Sequence, residues 1–434
     1  ASTLLVLVGF WVSVEIFTMD EMVYILGADI FRTTGGFSFD NGVARFGSDR
    51  LEWNGFLPVG PNGQTTQYPP GMSILGAGLI ALFGLRGLIF LNIAATVGCL
   101  FVTRALAFEL FGRERLALMA TLLLLIGSFV VEYAYGYWPH MVSVLAVNLS
   151  FLLFWRALTG ERGRIALAFA SGVVLGLGMH FRLDCILLLP VIGLVTLLYA
   201  ERWRHMVDIA IGGGAGLLGP LLALSAINQV RYGTWNPLSY GRGEAGGGGT
   251  TFTTYIPLIG IILGLVGLLV VIRLLGPRVR PRVWGGLLVL CAALATVLLP
   301  QVQTLALTYA KGVLDLIIDA THIVDSRPGV RIDEETGLLS FWGLAKKALG
   351  QSLPWIGILL ALLGLKWGED RRSISVLLLL VALWTGPFLI QSWHGGLGAN
   401  MRYFLPILPA LAILASWSFA RLAEGQTRIE RRLL

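Results

Sequence analysis

The sequence predicts an all-α polytopic membrane protein with about 12 transmembrane helices, within a range of about 11 to 13. The composition and the pattern of apolar runs predict this class. Of the 434 residues, 56% are hydrophobic and only 13% are charged, whereas soluble globular domains carry about 25% charged residues. The mean hydropathy is +0.77. The apolar residues form long runs separated by arginine clusters, which is typical of helices rather than of a barrel of short alternating strands.

The apolar runs define the order of the predicted spans. About 20 residues are needed to cross the hydrocarbon core of a bilayer. The first run lacks a cleavage site of small residues, so we expect it to be retained as a span. The runs cover residues 2–18, 87–104, 116–132, 141–156, 165–181, 184–200, 207–227, 255–273, 283–301, 353–366, 373–391 and 404–420.

The positions of the basic residues predict the orientation. The net charge is +7, and most of the 32 Lys and Arg residues lie in short loops that alternate with longer segments. Basic short loops face the cytoplasm, which places both termini there and the segments 18–86, 228–254 and 302–352 outside. We expect one transmembrane domain over 1–425 and a cytoplasmic tail over 426–434. Topology accounts for the basic charge, so no nucleic-acid partner is expected.

The predicted spans have no Asp, Glu, Lys or Arg near their middle. Ion-coupled transporters usually carry ionisable groups at the membrane midplane. Here the ionisable residues gather at the outer ends of the spans: Glu15, Asp20, Glu21, Arg86, Glu132, Arg182, Asp184, Arg231 and Arg402. The sequence therefore predicts chemistry at the outer face. Arg231 is expected to lie in an exposed loop.

An acidic pair, Asp20 and Glu21, opens a predicted helix just after the first span. Thr18 and Glu21 have the spacing of a capping box, which gives Glu21 a purely structural explanation. Asp20 is not explained in this way, and it shares a helix face with Tyr24. The helix is predicted to stop at the glycine pair 35–36.

Two helices of the first outer segment are predicted to lie in the membrane interface. The first carries the apolar stripe expected of an interfacial helix, formed by Met22, Val23, Leu26 and Ile30. The second is the apolar stretch 72–85, which follows the polar, turn-rich residues 37–67. The outer segment 302–352 is expected to hold a further amphipathic helix and a loop.

The cysteines and histidines predict neither a disulfide framework nor a metal site. The three cysteines lie inside apolar runs and are expected to pack as small apolar side chains: Cys99, Cys185 and Cys291. His140, His180 and His394 fall at outer ends of spans but lack the spacing signature of a zinc site. We therefore predict no cofactor, with a divalent metal left open.

Several motifs on the outer face resemble those of one enzyme family. They are Asp20-Glu21 with Tyr24 and Ala28, Tyr68-Pro69-Pro70-Gly71, Arg86, the segment Gly176–Asp184, the segment Tyr232–Gly241, and Arg402-Tyr403-Phe404-Leu405-Pro406. In this order the chain resembles the GT-C glycosyltransferases, in particular the bacterial relatives of protein O-mannosyltransferases and of lipid A aminoarabinose transferase. The resemblance covers roughly residues 1–425. His140 departs from it, because many relatives carry an acidic residue there.

The resemblance implies an inverting glycosyltransferase of the bacterial inner membrane. Its donor would be a polyprenyl-phosphate-linked sugar, and its acceptor a glycan, a lipid or a protein. An acceptor hydroxyl needs a carboxylate to take its proton, and this role falls to Asp20 with Glu21 beside it. Arginines would stabilise the departing phosphate. The donor-site residues are then Arg182, Arg402, Arg86, Tyr68, Tyr403, Tyr24 and His140.

Alternatives from other classes stay open at the level of sequence. Each arginine at a span end is also explained as an anchor at the membrane interface, and Asp20 as part of a helix start. The chain would be a lipid-linked saccharide flippase or transporter if polar groups lined a path to the cytoplasm. It would be a non-catalytic membrane scaffold if Asp20 were dispensable. The sequence leaves the sugar and the acceptor open.

Overall fold

The computed structural model of the chain describes residues 2–16, 18–40, 42, 56–160, 162–241, 300–317, 331–332, 339–340, 368–390 and 401–433. The chain forms two compact units. The first unit contains Ala1–Val102, Val130–Leu188 and Ala200–Ile259, and the second contains Thr103–Phe129, Leu189–Tyr199 and Gly260–Leu434. The single transmembrane domain over 1–425 stays a prediction.

Helices dominate the described residues. They are α1 Ser2–Trp11, α2 Met19–Thr34, α3 Gly71–Phe83, α4 Arg86–Phe111, α5 Glu114–Ile126, α6 Val130–Ala134, α7 His140–Thr159, α8 Arg164–Met179, α9 Leu188–Tyr199, α10 Trp203–Tyr232, α11 Pro300–Ile317, α12 Arg371–Leu389 and α13 Leu408–Leu433. Short 3-10 helices cover Leu183–Leu187, Gly368–Asp370 and Met401–Ile407.

Five of these helical segments are long and apolar enough to cross a membrane by length and composition. They are Arg86–Phe111, His140–Thr159, Trp203–Tyr232, Gly368–Leu389 and Met401–Glu424. Shorter apolar helices cover Gly71–Phe83, Arg164–Met179 and Leu183–Tyr199. The predicted spans 255–273 and 353–366 and nearly all of 283–301 lie outside the described residues, so a total of about 12 spans stays a prediction.

Two predicted spans are shorter in the structure than in the sequence pattern. The run 2–18 becomes α1, which ends at Trp11, because the Arg86 guanidinium donates hydrogen bonds to backbone carbonyl oxygens at the end of this helix. Arg86 Nη1 lies 2.9 Å from the Phe10 carbonyl oxygen and 3.1 Å from that of Val12. The run 116–132 is interrupted at Gly127, which ends α5, and the chain restarts as the short helix α6.

The helices α7, α8 and α10 pack against one another in the first unit. Small residues allow close approach of their backbones, as in many membrane helix pairs. A Cβ added to Gly172 or Gly216 of the α8–α10 pair would collide with a carbonyl oxygen of the facing helix. Between α7 and α8, the Ser150 and Ser171 hydroxyls lie 3.0 Å apart and are buried. This packing fixes the ends of α8 and α10 from which site residues project.

A small antiparallel sheet lies in the first outer segment. Strands β1 Ser38–Phe39, β2 Val59–Gly60 and β3 Gly63–Thr65 form the order β1-β3-β2. Ser38 pairs with Thr65 and Val59 pairs with Gln64. A two-stranded pair, β4 Arg331–Ile332 and β5 Leu339–Ser340, belongs to the second unit. The first sheet ends three residues before Tyr68 and so leads directly into the site.

The second unit is held around the buried carboxylate of Asp370. Its Oδ2 accepts hydrogen bonds from Trp417 Nε1 at 2.8 Å and from Arg421 Nη2 at 3.0 Å. Arg113 Nη2 lies 3.3 Å from the same oxygen. We call these four residues the Asp370 cluster. It joins the segments around Arg113, Asp370 and Arg421, which the sequence predicts to lie on the same side of the membrane.

Candidate functional site

The start of α2 has the predicted capping box. Thr18 Oγ1 accepts from the Glu21 backbone N–H at 3.3 Å, and Glu21 Oε2 accepts from the Thr18 N–H at 3.1 Å. The Glu21 side chain is buried, with 2% of its residue surface exposed. The helix ends where predicted, at Gly35, whose φ of 68° is left-handed. The cap fixes the first turn of α2 and therefore the direction of the Asp20 side chain.

Asp20 is held by a tyrosine that lies 48 positions away in sequence. The Tyr68 hydroxyl donates a hydrogen bond to Asp20 Oδ1 at 2.5 Å. The Tyr68 ring stacks on the buried Tyr24 ring, with centroids 4.4 Å apart and planes at 18°. We call Asp20, Tyr24 and Tyr68 the tyrosine clamp. Asp20 and Tyr68 are half-buried, so the clamp lies at the surface of the first unit.

A second polar group forms where α8 ends and α7 begins. Arg182 Nη2 donates to Asp184 Oδ2 at 2.8 Å, and Arg182 Nη1 lies 2.6 Å from His140 Nε2. Because a guanidinium only donates, His140 Nε2 is the acceptor, and the imidazole proton is assigned to Nδ1. His140 is buried, with 2% exposed. We call Arg182, Asp184 and His140 the arginine cluster.

The tyrosine clamp and the arginine cluster are connected on two sides. On one side, the Gly71 N–H, three residues after Tyr68, donates to the His180 carbonyl at 2.6 Å. On the other side, a Cβ at Gly136 would lie 3.0 Å from Trp138 Cε3 and 3.7 Å from Glu21 Oε1. The Trp138 ring then meets the His140 ring edge-on at 5.8 Å. The contacts form a closed ring of segments within the first unit.

Burial shapes the titration of two groups in this ring. Burial raises the pKa of Tyr137, and the nearby Glu21 carboxylate raises it further, while the Arg86 charge opposes both. Burial lowers the pKa of His180, partly offset by the hydrogen bond between its Nδ1 and the Gly176 carbonyl oxygen at 3.0 Å. Both effects follow from the cost of a charge in low dielectric. Tyr137 therefore stays protonated and His180 favours its neutral form at neutral pH.

The other predicted donor-site residues lie elsewhere. Arg86 occupies the end of α1, as described above. Arg402 and Tyr403 belong to the second unit, where the Arg402 guanidinium carbon lies 5.5 Å from the Tyr403 ring centroid and the Trp384 indole donates to the Tyr403 carbonyl at 2.8 Å. The structure thus places six predicted residues in two groups that are linked through neighbouring segments: Asp20, Glu21, Tyr24 and Tyr68 in one, and His140 and Arg182 in the other. Their roles stay predictions.

The structure corrects the predicted position of Arg231 and gives Asp184 a partner. Arg231 was expected in an exposed loop, but only 1% of its surface is exposed. The reason is that α10 continues past the predicted end at 227 to Tyr232 before Gly233 caps it with a φ of 70°. Asp184, given no role, is the ion-pair partner of Arg182 at 2.8 Å. For Asp184, the spacing Arg182-x-Asp184 was the signal of an ion pair that the sequence offered. For Arg231, the glycine at position 233 was the signal that the helix could continue to that point.

The metal prediction is not tested. Among the residues that the structure describes, no group of three or more His, Cys, Asp and Glu side chains is arranged to hold a metal ion. His394 lies outside the described ranges. The absence of a cofactor stays a prediction.

Comparison with known proteins supports the fold. No family model matches the chain, and no curated protein matches it significantly in sequence. The chain is similar to the archaeal oligosaccharyltransferase AglB from Archaeoglobus fulgidus in complex with an inhibitory peptide and a dolichol-phosphate, with a TM-score of 0.56 and 15% identity over 100% of this chain and 51% of that one.

A second solved structure agrees with the first. It is the oligosaccharyltransferase of Archaeoglobus fulgidus tethered with an acceptor peptide, with a TM-score of 0.53 and 16% identity over 95% of this chain and 49% of that one. The chain therefore spans about half the length of the solved structures it matches. The chain therefore shares the fold of these solved oligosaccharyltransferase structures, which agrees with the fold that the resemblance implied. Together with its apolar helices, this makes it an integral membrane protein.

Proposed function

We propose that this protein is a membrane glycosyltransferase that moves a sugar from a polyprenyl-phosphate-linked donor to an acceptor at the outer face of the bacterial inner membrane. The observation that carries the proposal is the tyrosine clamp, because it presents an oriented carboxylate at the surface of a GT-C fold. The arginine cluster, joined to the clamp through the closed ring of segments, supplies a guanidinium of the kind that holds phosphate.

The reaction follows from these two groups. The Asp20 carboxylate takes the proton of the acceptor hydroxyl while the acceptor oxygen bonds to the anomeric carbon of the sugar. The bond between that carbon and the phosphate oxygen breaks, and its electron pair leaves with the polyprenyl phosphate. A single displacement of this kind inverts the configuration at the anomeric carbon. Glu21, buried by its capping contacts, supports the start of α2 and sets the direction of Asp20.

Arg182 is the proposed donor-phosphate residue. Asp184 and His140 orient its planar guanidinium, and the several N–H groups of an arginine allow it to hold these partners and phosphate oxygens together. Tyr24 supports the clamp by stacking on Tyr68, and His140 supports the arginine cluster through its contact with Arg182. Arg86 is the weaker choice because it already contacts the carbonyls at the end of α1. Arg402 and Tyr403 stay predictions from the resemblance.

The solved structures of this fold support a lipid donor. One was determined with a dolichol-phosphate, and another with a tethered acceptor peptide. A lipid carrier and an external acceptor therefore fit the fold. The particular sugar and acceptor are open, and a mass-spectrometric screen of polyprenyl-phosphate sugars with envelope acceptors is the way to find them.

The deciding experiment is transfer by the purified protein in nanodiscs. Asp20→Asn keeps the shape of the side chain and is expected to lower turnover by about 10²–10⁴-fold. Asp29→Asn is the matched control, because Asp29 lies on the same helix but does not belong to the clamp. Its carboxylate pairs instead with Arg32, at an N···O distance of 2.6 Å. If the Asp20→Asn protein transfers sugar at the wild-type rate, Asp20 is not the catalytic base and has only a structural role at the start of α2. Movement of the intact lipid-linked sugar across the bilayer without transfer would favour a flippase.

The proposed orientation has the termini in the cytoplasm. It rests on the basic loops and puts the exposed Asn62 outside and the exposed Arg115 inside. Labelling of Asn62→Cys and Arg115→Cys with a membrane-impermeant thiol reagent in intact cells tests it. We expect labelling at position 62 only, and labelling at 115 alone would reverse the orientation.

A further inference from the structure

Arg231 is a buried charge at the end of α10 that reaches the segment before Tyr68. Its Nη2 donates to the carbonyl oxygens of Thr66 and Tyr68, the second at 2.6 Å. These contacts join positions 163 and 165 apart in sequence. In the part of the chain that the structure describes, no carboxylate forms an ion pair with Arg231. Its charge is instead met by carbonyl dipoles and by the Tyr232 ring, whose centroid lies 4.5 Å from the guanidinium carbon.

The neighbouring Tyr232 acts on the same stretch of backbone. Its hydroxyl lies 2.9 Å from the Thr66 carbonyl oxygen and 2.9 Å from that of Gln67. Two consecutive side chains of α10 therefore hold three consecutive carbonyls, at positions 66, 67 and 68. Burying a charge is costly unless its hydrogen-bond partners are well placed, so this arrangement holds the backbone at a defined position.

The other edge of the same segment is held by the first outer sheet. The Thr65 N–H donates to the Pro58 carbonyl at 3.0 Å, and the Gln67 N–H donates to the Phe56 carbonyl at 3.0 Å. Strand β2 lies directly on the end of α10, because a Cβ at Gly60 would collide with the Arg231 carbonyl oxygen. The segment 64–68 is therefore pinned through its amides on one side and its carbonyls on the other.

We infer that Arg231, assisted by Tyr232, is a positioning residue that holds Tyr68 so that the Tyr68 hydroxyl keeps Asp20 in its reactive direction. The inference rests on the proposed function, since it gives the clamp a catalytic purpose. Tyr68 is the only residue in segment 64–68 whose side chain belongs to the clamp, and its own carbonyl is one of those that Arg231 holds. A displacement of about 1 Å in a positioned group is enough to cost about 10²-fold in rate.

The test compares Arg231→Lys and Tyr232→Phe with Arg204→Lys. Lysine keeps the charge but lacks the planar fork that bonds two fixed carbonyls. Arg204 is the matched control, because it lies exposed in the first turn of the same helix. We expect Arg231→Lys to lower kcat by about 10–100-fold with the donor KM within about twofold. Tyr232→Phe should lower kcat by less, and Arg204→Lys should not change it.

A double-mutant cycle separates positioning from general stability. If Arg231 acts through Tyr68, then Arg231→Lys should cost little more kcat once Tyr68→Phe has been made. A full additional loss in that background would overturn the inference, as would unchanged kcat in both Arg231→Lys and Tyr232→Phe. Should Arg231→Lys fail to fold, Tyr232→Phe serves in the same cycle.

A measurement independent of activity keeps the inference and the proposed function apart. Hydrogen–deuterium exchange of the amides in segment 64–68 should become faster in Arg231→Lys and stay as in the wild type in Arg204→Lys. Absence of transfer by the wild type would refute the proposed function and leave this result standing. Unchanged exchange in Arg231→Lys would refute the positioning role even if the protein transfers sugar.

Discussion

Asp20 in the first unit and Asp370 in the second are both carboxylates at the start of a helix, yet their partners differ. Asp370 is buried and bound by two arginines and an indole, so its charge is committed to joining three segments of its own chain. Asp20 is half-buried and bound by the neutral Tyr68 hydroxyl. A phenol orients a carboxylate without cancelling its charge. One carboxylate therefore holds the fold of its unit, and the other is the one that we propose to act in catalysis.

The largest expected difference separates Asp20→Asn from Asp370→Asn. Removing the Asp370 charge leaves Arg113 and Arg421 around a neutral amide. We expect the loss of this ion pair to lower the free energy of unfolding by about 2–3 kcal/mol. The cost is smaller than for a fully buried pair because Arg113 is partly exposed. Turnover per folded molecule should be retained. Asp20→Asn should do the reverse, with a loss of turnover and little change in stability.

Thermal unfolding in detergent, followed by tryptophan fluorescence and measured beside turnover, checks both halves. A wild-type Tm in Asp370→Asn would remove the structural role of that carboxylate. If Asp20→Asn lowers the Tm enough to account for its lost turnover, Asp20 has a structural role like that of Asp370.

The next largest effect concerns one arginine from each unit, Arg182 of the arginine cluster and Arg421 of the Asp370 cluster. Arg182→Lys should lower turnover by about tenfold, mainly through weaker donor use, because a charged hydrogen bond is worth about 1.5–3 kcal/mol and an ammonium does not reproduce the guanidinium fork. Arg421→Lys, in the Asp370 cluster, should leave turnover per folded molecule unchanged. Donor titrations of the two variants provide the measurement. Equal donor dependence in both would argue against a phosphate contact at Arg182.

The smallest expected effect is a pH dependence that belongs to the first unit. Burial lowers the pKa of His180 from its ordinary value of 6.5, so the unfolded chain binds a proton there more readily than the folded one. Stability at this residue is therefore full above about pH 6.5 and is lost as the pH falls towards the folded pKa. The Tm of His180→Gln should fall less than that of the wild type between about pH 7 and pH 5. Identical slopes would show that His180 does not contribute.

Local features of the site were predictable because their partners are close in sequence. The capping box joins residues three apart, Asp20 and Tyr24 share a face through the helical repeat, and a glycine ends α2 as expected. The membrane class followed from composition and the fold from the order of motifs on one face. The short α1 was not predictable, because an apolar run does not show where a distant side chain such as Arg86 donates hydrogen bonds to the last carbonyls of a helix.

The sequence by itself determined that this chain is a helical membrane protein with ionisable groups at helix ends and an acidic pair in a capped first turn. Only the tertiary structure decided which of those groups meet. Tyr68 reaches Asp20 across 48 positions, Arg182 reaches His140 across 42, and Arg231 reaches the Tyr68 backbone across 163. The physical reason is that hydropathy and local spacing fix which elements form. The partners of a buried charge are chosen by helix packing, which places polar groups from distant segments within hydrogen-bond range.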